Sequence, residues 1–226
     1  MHILAPILFP LYVTAYVVIA AVIFQQYRRT RDLIDLVLGL LLLSVAYDNL
    51  ILALGRVLAN APALFVVLSR FRYIFHGTFM PYFAVVALGL LERTATTPRP
   101  RLMRGVWIAA TVLAVVGLVA SALLILADPP VMVAGVLRIP PDRDASAAWT
   151  RRVPHLSTVL ATVIMIIVGG ILWRRVGWPW LFAVSVLTFV VAAAFHGERA
   201  FILMNFVEVL LGAGLVATSQ RLAKHT

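Results

Sequence analysis

Two arginines, a tyrosine and a histidine stand close together inside an otherwise apolar run, Ser69–Pro81. Each ionisable side chain inside a membrane span costs several kcal/mol. On a helix, spacings of three and four residues place on one face Ser69, Arg72, Tyr73, His76 and Met80. Because this face cannot lie against lipid, the other spans must supply its partners.

The composition is that of a polytopic membrane protein. Of the 226 residues, 63% are hydrophobic and 12% are charged, and the mean hydropathy is +1.02, whereas soluble domains carry roughly 25% charged residues. The absence of cysteine excludes disulfides, thiolate metal sites and cysteine nucleophiles. The net charge of +10 comes from short basic clusters between apolar spans, a pattern that sets membrane orientation and does not indicate nucleic-acid binding.

Seven apolar segments are each near the roughly 20 residues that a bilayer requires, so we predict an all-α, single-domain bundle of seven transmembrane helices. The predicted spans are about 4–26, 33–55, 63–91, 105–127, 154–173, 178–196 and 199–219. The connections are short except for residues 128–153, which are rich in Pro, Asp and Arg and show no helical period. We interpret this segment as an ordered or partly ordered outer loop that acts as a lid.

The basic residues of the connections predict that the N-terminus lies outside and the C-terminus inside. Eleven basic residues lie on the predicted inner side: Arg28, Arg29, Arg31, Arg93, Arg99, Arg101, Arg104, Arg174, Arg175, Arg221 and Lys224. Six lie on the outer side: Arg56, Arg138, Arg143, Arg151, Arg152 and Arg199. The excess of Arg over a single Lys is typical of a GC-rich bacterial genome, so we expect a multi-pass protein of a bacterial cytoplasmic (inner) membrane.

Unusual polar residues on several helices share a similar predicted depth. We count roughly 20 residues outward from each inner anchor, at about 1.5 Å per residue. The residues placed about 6–10 Å below the outer surface are Asp48, His76, Asn205 and Glu208. His155 and His196 fall at the outer boundary. In this count the inner half is nearly free of polar residues, so we predict a single outward-facing polar site.

The residue types of this layer are suited to metal-dependent hydrolysis. Imidazole nitrogen and carboxylate oxygen bind Zn²⁺, and the predicted metal ligands are His76, His196, Asp48 and Glu198. The predicted catalytic residues are Asp48, Glu208 and Ser44. Arginine recognises phosphate and carboxylate groups. The residues predicted to bind a lipid or amphiphilic substrate are Arg70, Arg72, Tyr73, Asn49 and Asn205.

The same residues admit structural interpretations. Asp48 and Glu208 can each form an ion pair with Arg70 or Arg72, which would only fix the helices together. His76 can donate a hydrogen bond to a neighbouring helix. Two facing histidines can also ligate a haem. No lysine lies in any predicted span, which excludes a retinal Schiff base.

The layout resembles the CREST superfamily of seven-helix membrane hydrolases, which includes alkaline ceramidases and adiponectin-receptor-type proteins. The resemblance rests on Ser44 and Asp48 in the second span, His76 in the third and His196 near the last. It implies a Zn²⁺-activated water that attacks a lipid amide or ester. The His-x-x-x-His pair that this family carries on its last helix is missing from this chain.

Two functional hypotheses follow. In the first, the chain is a metal-dependent hydrolase or related enzyme that acts on a lipid or amphiphile from the outer leaflet, with zinc as its cofactor. In the second, it is a non-enzymatic seven-helix protein that binds or transports a small molecule, or serves as an accessory subunit beside partner membrane subunits or a second copy. Neither hypothesis involves nucleic acid.

Overall fold

A computed structural model describes residues 5–127, 129–142 and 144–223, without the side chain of Arg199. The helices are α1 (Ala5–Thr30), α2 (Leu33–Leu58), α3 (Pro62–Phe79), α4 (Tyr82–Glu92), α5 (Pro100–Ala122), α6 (Ala148–Val176), α7 (Trp180–Ala194) and α8 (Gly197–Ala223). The strands are β1 (Val131–Val133) and β2 (Val136–Arg138). Of the basic residues used to predict orientation, Arg143 and Lys224 lie outside the described residues, as does the side chain of Arg199.

The helical membrane bundle predicted from the sequence is confirmed. Within the described residues, six helical segments are long and apolar enough to cross a membrane, with α3 and α4 counted as one. The helix α7 is apolar but has only 15 residues, about 22 Å at 1.5 Å per residue, against a hydrocarbon thickness of about 30 Å. The seventh span and the orientation of the termini stay predictions.

The third predicted span is divided at a proline. Pro81 has no backbone N–H and cannot donate to the carbonyl group of Gly77, so α3 ends at Phe79. Met80 and Pro81 keep right-handed helical dihedral angles, and α4 follows directly. A Cβ atom at Gly77 would lie 2.7 Å from the carbonyl oxygen of Gly117, so α3 and α5 pack backbone against backbone beside this break.

Short turns join several neighbouring helices. Arg31 has a φ of 55°, and Asp32 then caps α2 by accepting a hydrogen bond from the backbone N–H of Ile34 at 2.8 Å. The helix α6 ends at Gly177, whose φ is 65°, and Gly197, with a φ of 72°, opens α8. These left-handed conformations reverse the chain within a few residues, which makes sequential helices neighbours.

The predicted outer loop contains an ordered β-hairpin. The strands β1 and β2 pair antiparallel, and Ala134 and Gly135 between them have φ angles of 52° and 85°, as a tight type I′ turn requires. The loop ends earlier than predicted, because α6 begins at Ala148. Pro154, predicted as a helix start, lies inside α6.

Asp142 closes the base of this loop. Its carboxylate accepts hydrogen bonds from the backbone N–H groups of Ala145 at 3.0 Å and Asp144 at 2.9 Å, and these bonds lower the pKa of Asp142 below its ordinary value. Its own N–H donates to the carbonyl group of Ile125 at 2.9 Å. The two arms of the loop are therefore joined before α6 starts.

Helix side chains hold the loop against the bundle, at what we call the hairpin end. The hydroxyl group of Tyr73 donates to the carbonyl oxygen of Ile139 at 2.8 Å. The backbone N–H of Ala134 donates to a carboxylate oxygen of Glu198 at 3.1 Å. Apolar side chains of the hairpin, such as the buried Val136, pack into a small core shared with α1 and α2. The hairpin thus covers this end of the bundle.

The middle of the bundle is apolar. Its core packs α1, α2, α4, α6, α7 and α8 together, and its completely buried members include Leu38, Leu41, Leu42, Leu90 and Leu215. We call this region the apolar zone. It separates the hairpin end from the opposite end of the bundle, so polar groups at the two ends do not form one continuous path.

We expect Gly55→Ala to displace the hairpin. A Cβ atom at Gly55 would overlap the backbone carbonyl oxygen of Leu137, and overpacking of this kind typically costs about 1–3 kcal/mol. The variant should unfold at a lower temperature than the wild-type protein in detergent. Gly105→Ala is the control, because no atom lies within 4 Å of a Cβ there. Equal thermal stability of the two variants would contradict the contact between α2 and β2.

Candidate functional site

An ion pair between α2 and α3 forms the centre of the predicted site. The Nε atom of Arg72 donates to Oδ1 of Asp48 at 2.5 Å, and the two side chains are 10% and 18% exposed. The guanidinium carbon of Arg72 also lies 5.2 Å from the ring centroid of Tyr73. Pairing offsets much of the cost of burying the two charges. The structural ion pair considered in the sequence analysis is therefore present, with Arg72 as the cation.

Glu208 on α8 lies next to this ion pair. Its carboxyl group interacts electrostatically with Asp48 and Arg72, but within the described part of the chain no hydrogen bond or ion pair joins it to another group. The ring of Tyr16 lies beside Gly212, one turn after Glu208: a Cβ at that glycine would be 3.4 Å from Cε1 of the tyrosine. The Tyr16 hydroxyl group is buried and has no hydrogen-bond partner.

His76 lies on the other side of the ion pair, near α6. Its Nε2 atom is 3.5 Å from the hydroxyl oxygen of Thr158, which is the upper limit for a hydrogen bond. It interacts electrostatically with Asp48, Arg72 and His155. The structure therefore brings His76 to Asp48, as predicted, and adds His155, which was not among the predicted ligands.

We call the group just described the polar layer. Its members are Tyr16, Asp48, Arg72, His76 and Glu208, from α1, α2, α3 and α8. The layer combines one ion pair with a carboxyl group and a hydroxyl group that have no hydrogen-bond partner among the residues the structure describes. It lies between the apolar zone and the hairpin end.

The predicted metal ligands do not converge. His196 is exposed in the turn before α8, and Glu198 is exposed and holds the hairpin through Ala134. Neither reaches His76 or Asp48, and among the residues that the structure describes no three His, Asp or Glu side chains form a group that could hold a metal ion. The donor set does not fit the predicted zinc centre, and we derive no chemistry from it.

Two predicted substrate-binding residues hold the loop instead. Arg70 donates from Nη1 to the backbone carbonyl oxygens of Ala122 and Leu124, both at 3.0 Å, and so caps the end of α5. Tyr73 donates to the carbonyl oxygen of Ile139. Both side chains bind backbone groups, which their sequence positions do not reveal.

The remaining polar residues bond to their own helices. Ser44, Asn49 and Asn205 each donate to a backbone carbonyl of the preceding turn, at 2.7, 3.0 and 2.7 Å. Within the described chain no acid or base accepts the proton of the Ser44 hydroxyl group, so this serine is not arranged as an activated nucleophile. The amide oxygen of Asn49 is buried without a partner.

The end of the bundle opposite the hairpin holds a buried charged cluster that the sequence analysis missed. Arg93 lies 2.6 Å from Asp35 and 2.8 Å from Asp32, and donates to the Ser219 hydroxyl group at 2.7 Å. Gln26 donates to the other oxygen of Asp35 at 2.9 Å. We call these five residues the Arg93 cluster. Its presence corrects the expectation that the inner half is nearly free of polar residues.

The cluster was missed because charges at helix ends are expected at a membrane boundary. Arg93 and Asp32 stand at the predicted ends of spans, although the side chain of Arg93 is only 10% exposed. The available signal was Asp35, which stands within the first turn of the second span, three residues after Asp32. A carboxylate at that position needs a buried partner.

We expect Asp35→Asn to destabilise the bundle far more than Asp32→Asn. Asp35 is completely buried, and removing one partner of a buried ion pair costs about 3–5 kcal/mol. Asp32 is 34% exposed, and asparagine also caps a helix well, so its change should cost about 1 kcal/mol or less. Unfolding of both variants in detergent measures the difference, and similar losses would contradict the central place of Asp35.

No protein-family model matches the chain, and no curated protein is significantly similar to it. The resemblance to the CREST superfamily therefore stays a prediction that rests on four residues. Of these, Asp48 and His76 lie close together, Ser44 is bonded within its own helix, and His196 is exposed in a separate turn.

Proposed function

We propose that this chain is a non-enzymatic membrane protein that binds a small polar ligand in the polar layer. The observation that supports this proposal is that the Glu208 carboxyl group and the Tyr16 hydroxyl group lie near the Asp48–Arg72 ion pair and have no hydrogen-bond partners within the described part of the chain. Unpaired polar groups inside a bundle are costly and mark functional sites. A ligand that pairs with them recovers that cost.

Metal-dependent hydrolysis of a lipid has less support. Such an enzyme needs a metal-bound water or an activated nucleophile within reach of its substrate. The candidate metal ligands are separated, Ser44 donates to its own helix, and the arginines expected to bind an anionic head group are already bonded. The arrangement therefore favours binding over catalysis.

In this proposal the hairpin is the lid of the site and the hairpin end faces the outside of the cell. Access from the opposite end would require a polar ligand to cross the apolar zone, where residues such as Leu41 and Leu42 are completely buried. The side-chain bonds that hold the hairpin come from the hydroxyl group of Tyr73 and the carboxylate of Glu198. Opening the lid breaks these two hydrogen bonds and exposes the buried side chains of the hairpin, such as Val136.

Elemental analysis of the purified protein distinguishes binding from zinc hydrolysis. We expect less than stoichiometric zinc in the wild-type chain, and the same small amount in His76→Ala, because the potential ligands do not converge. His196→Ala, at an exposed position, is the control for adventitious binding by histidine. About one zinc per chain that is lost only in His76→Ala would overturn the proposal in favour of the hydrolase.

Thiol labelling tests the route of entry, because the chain has no cysteine of its own. Asn205 is a buried position one turn from Glu208 towards the hairpin. We expect the Asn205→Cys variant to react slowly with a membrane-impermeant thiol reagent that is added outside cells. Glu198→Ala removes the acceptor for the Ala134 N–H and should raise the rate severalfold.

Ser185→Cys is the control for this labelling, since Ser185 is completely buried in α7, and its rate should not respond to Glu198→Ala. If the labelling rate of Asn205→Cys is the same with and without Glu198→Ala, the hairpin is not the lid. Reaction only when the reagent is applied from inside would reverse the proposed orientation.

A further inference from the structure

The buried charges around Glu208 do not balance. The charged groups of the described chain that act on its carboxyl group are Asp48 on α2 and Arg72 on α3. Arg72 is already bonded to Asp48, so the second carboxyl group has no counter-charge of its own. A carboxylate without a counter-charge is unfavourable inside a membrane span, and a cation beside it would offset that cost.

The neighbouring groups without partners supply oxygen atoms. The Tyr16 side chain is 1% exposed, its hydroxyl group has no hydrogen-bond partner, and it interacts electrostatically with both Glu208 and Asp48. The amide nitrogen of Asn49, one residue after Asp48, is bonded within α2, and its buried amide oxygen has no partner among the described residues. Leaving buried groups of this kind unpaired is unfavourable. A phenol hydroxyl group both donates and accepts, whereas a carboxylate and an amide oxygen only accept, so this set of groups favours a cation or a proton over an anion.

The charge and the packing limit the kind of cation. With Arg72 neutralising Asp48, an ionised Glu208 gives the layer about one excess negative charge, which matches a monovalent ion. The guanidinium group nearby disfavours a divalent one. The near-complete burial of Tyr16 favours a small ion over an organic amine.

We propose that Glu208 and Tyr16 bind a small monovalent cation, Na⁺ or H⁺, beside the Asp48–Arg72 ion pair. This inference rests on the proposed function and names its ligand class. A proton would convert the Glu208 carboxylate to a neutral acid, which can donate a hydrogen bond to the Tyr16 oxygen. A sodium ion would instead be bound by the carboxylate and phenol oxygens.

The titratable groups around this site belong to four helices. Tyr16 of α1, Asp48 of α2 and Arg72 of α3 face Glu208 directly, and Tyr12 acts on Tyr16. His76 of α3 acts on Asp48 and Arg72. Replacing Glu208 alone therefore separates the response of the site from that of the neighbouring histidine, because His76 keeps its contacts in that variant.

The test measures thermal unfolding of the full chain in detergent, in sodium chloride and in choline chloride at equal ionic strength, at mildly alkaline and mildly acidic pH. A ligand that binds only the folded protein raises its unfolding temperature. We expect sodium, or acid in the absence of sodium, to stabilise the wild-type protein. Glu208→Gln, which mimics the neutral acid, should abolish either response. Glu92→Gln is the control, since the Glu92 carboxylate accepts an exposed hydrogen bond from the backbone N–H of Arg99 and lies at the far end of α4 from the polar layer.

The outcomes identify the ion. Stabilisation by sodium at alkaline pH that is lost in Glu208→Gln assigns Na⁺. The ion is H⁺ if acid alone stabilises the protein and if an infrared band of a protonated carboxylic acid disappears in Glu208→Gln. Tyr16→Phe keeps the ring and removes the oxygen, so it should raise the half-saturating sodium concentration, or the proton concentration, severalfold.

A folded wild-type protein that responds to neither ion overturns the inference. If Glu208→Gln does not fold, Tyr16→Phe decides: an unchanged half-saturating concentration removes Tyr16 from the site and overturns the proposed pair of ligands. The failure of the proposed function is separate. If Asn205→Cys is labelled from outside but the protein responds to no cation, only the identity of the ligand is contradicted. If the protein responds to a cation but Asn205→Cys is labelled only from inside, only the proposed route of entry is contradicted.

Discussion

The guanidinium group of Arg93 is the interaction on which the bundle depends most. It connects the end of α4 to two carboxylates of α2 and to Ser219 of α8, and Gln26 of α1 joins the same network. Lipid supplies no partners for such groups, so they must be satisfied within the chain. Ser219 and Glu208 are eleven residues apart on α8, which is about three turns, so they lie on the same face of the helix. The bonds that hold Ser219 towards the bundle interior therefore also direct Glu208 towards it.

The two polar regions differ in how completely they are satisfied. In the Arg93 cluster every group named has a partner, and buried networks of that kind stiffen a structure. In the polar layer only the pair of Asp48 and Arg72 is closed, and Glu208 and Tyr16 are left with unused bonding capacity. Departures from full pairing are expected where a protein has a function to perform. The apolar zone lies between the satisfied end and the unsatisfied end of the bundle.

Sequence periodicity located the helices and the depth of the site, because apolar runs and basic anchors measure distance along the membrane normal. Depth does not fix rotation or lateral position, however. His76 and Glu208 share both depth and neighbourhood with Asp48, whereas His196, with a similar predicted depth, lies in an exposed turn. The Arg93 cluster was hidden by its place at the span ends. The hairpin was hidden because its hydrogen bonds with the helices use loop backbone atoms, which leave no trace in the side-chain pattern.

That use of backbone atoms has a consequence for the loop itself. The helices contribute side chains, those of Arg70, Tyr73 and Glu198, while the loop contributes carbonyl oxygens and one N–H group. Every amino acid except proline presents the same backbone groups, so these hydrogen bonds do not depend on which residues the loop carries. Only the buried apolar positions of the hairpin, such as Val136, constrain its sequence, and the exposed surface beyond the hairpin end can change without altering how the bundle is closed.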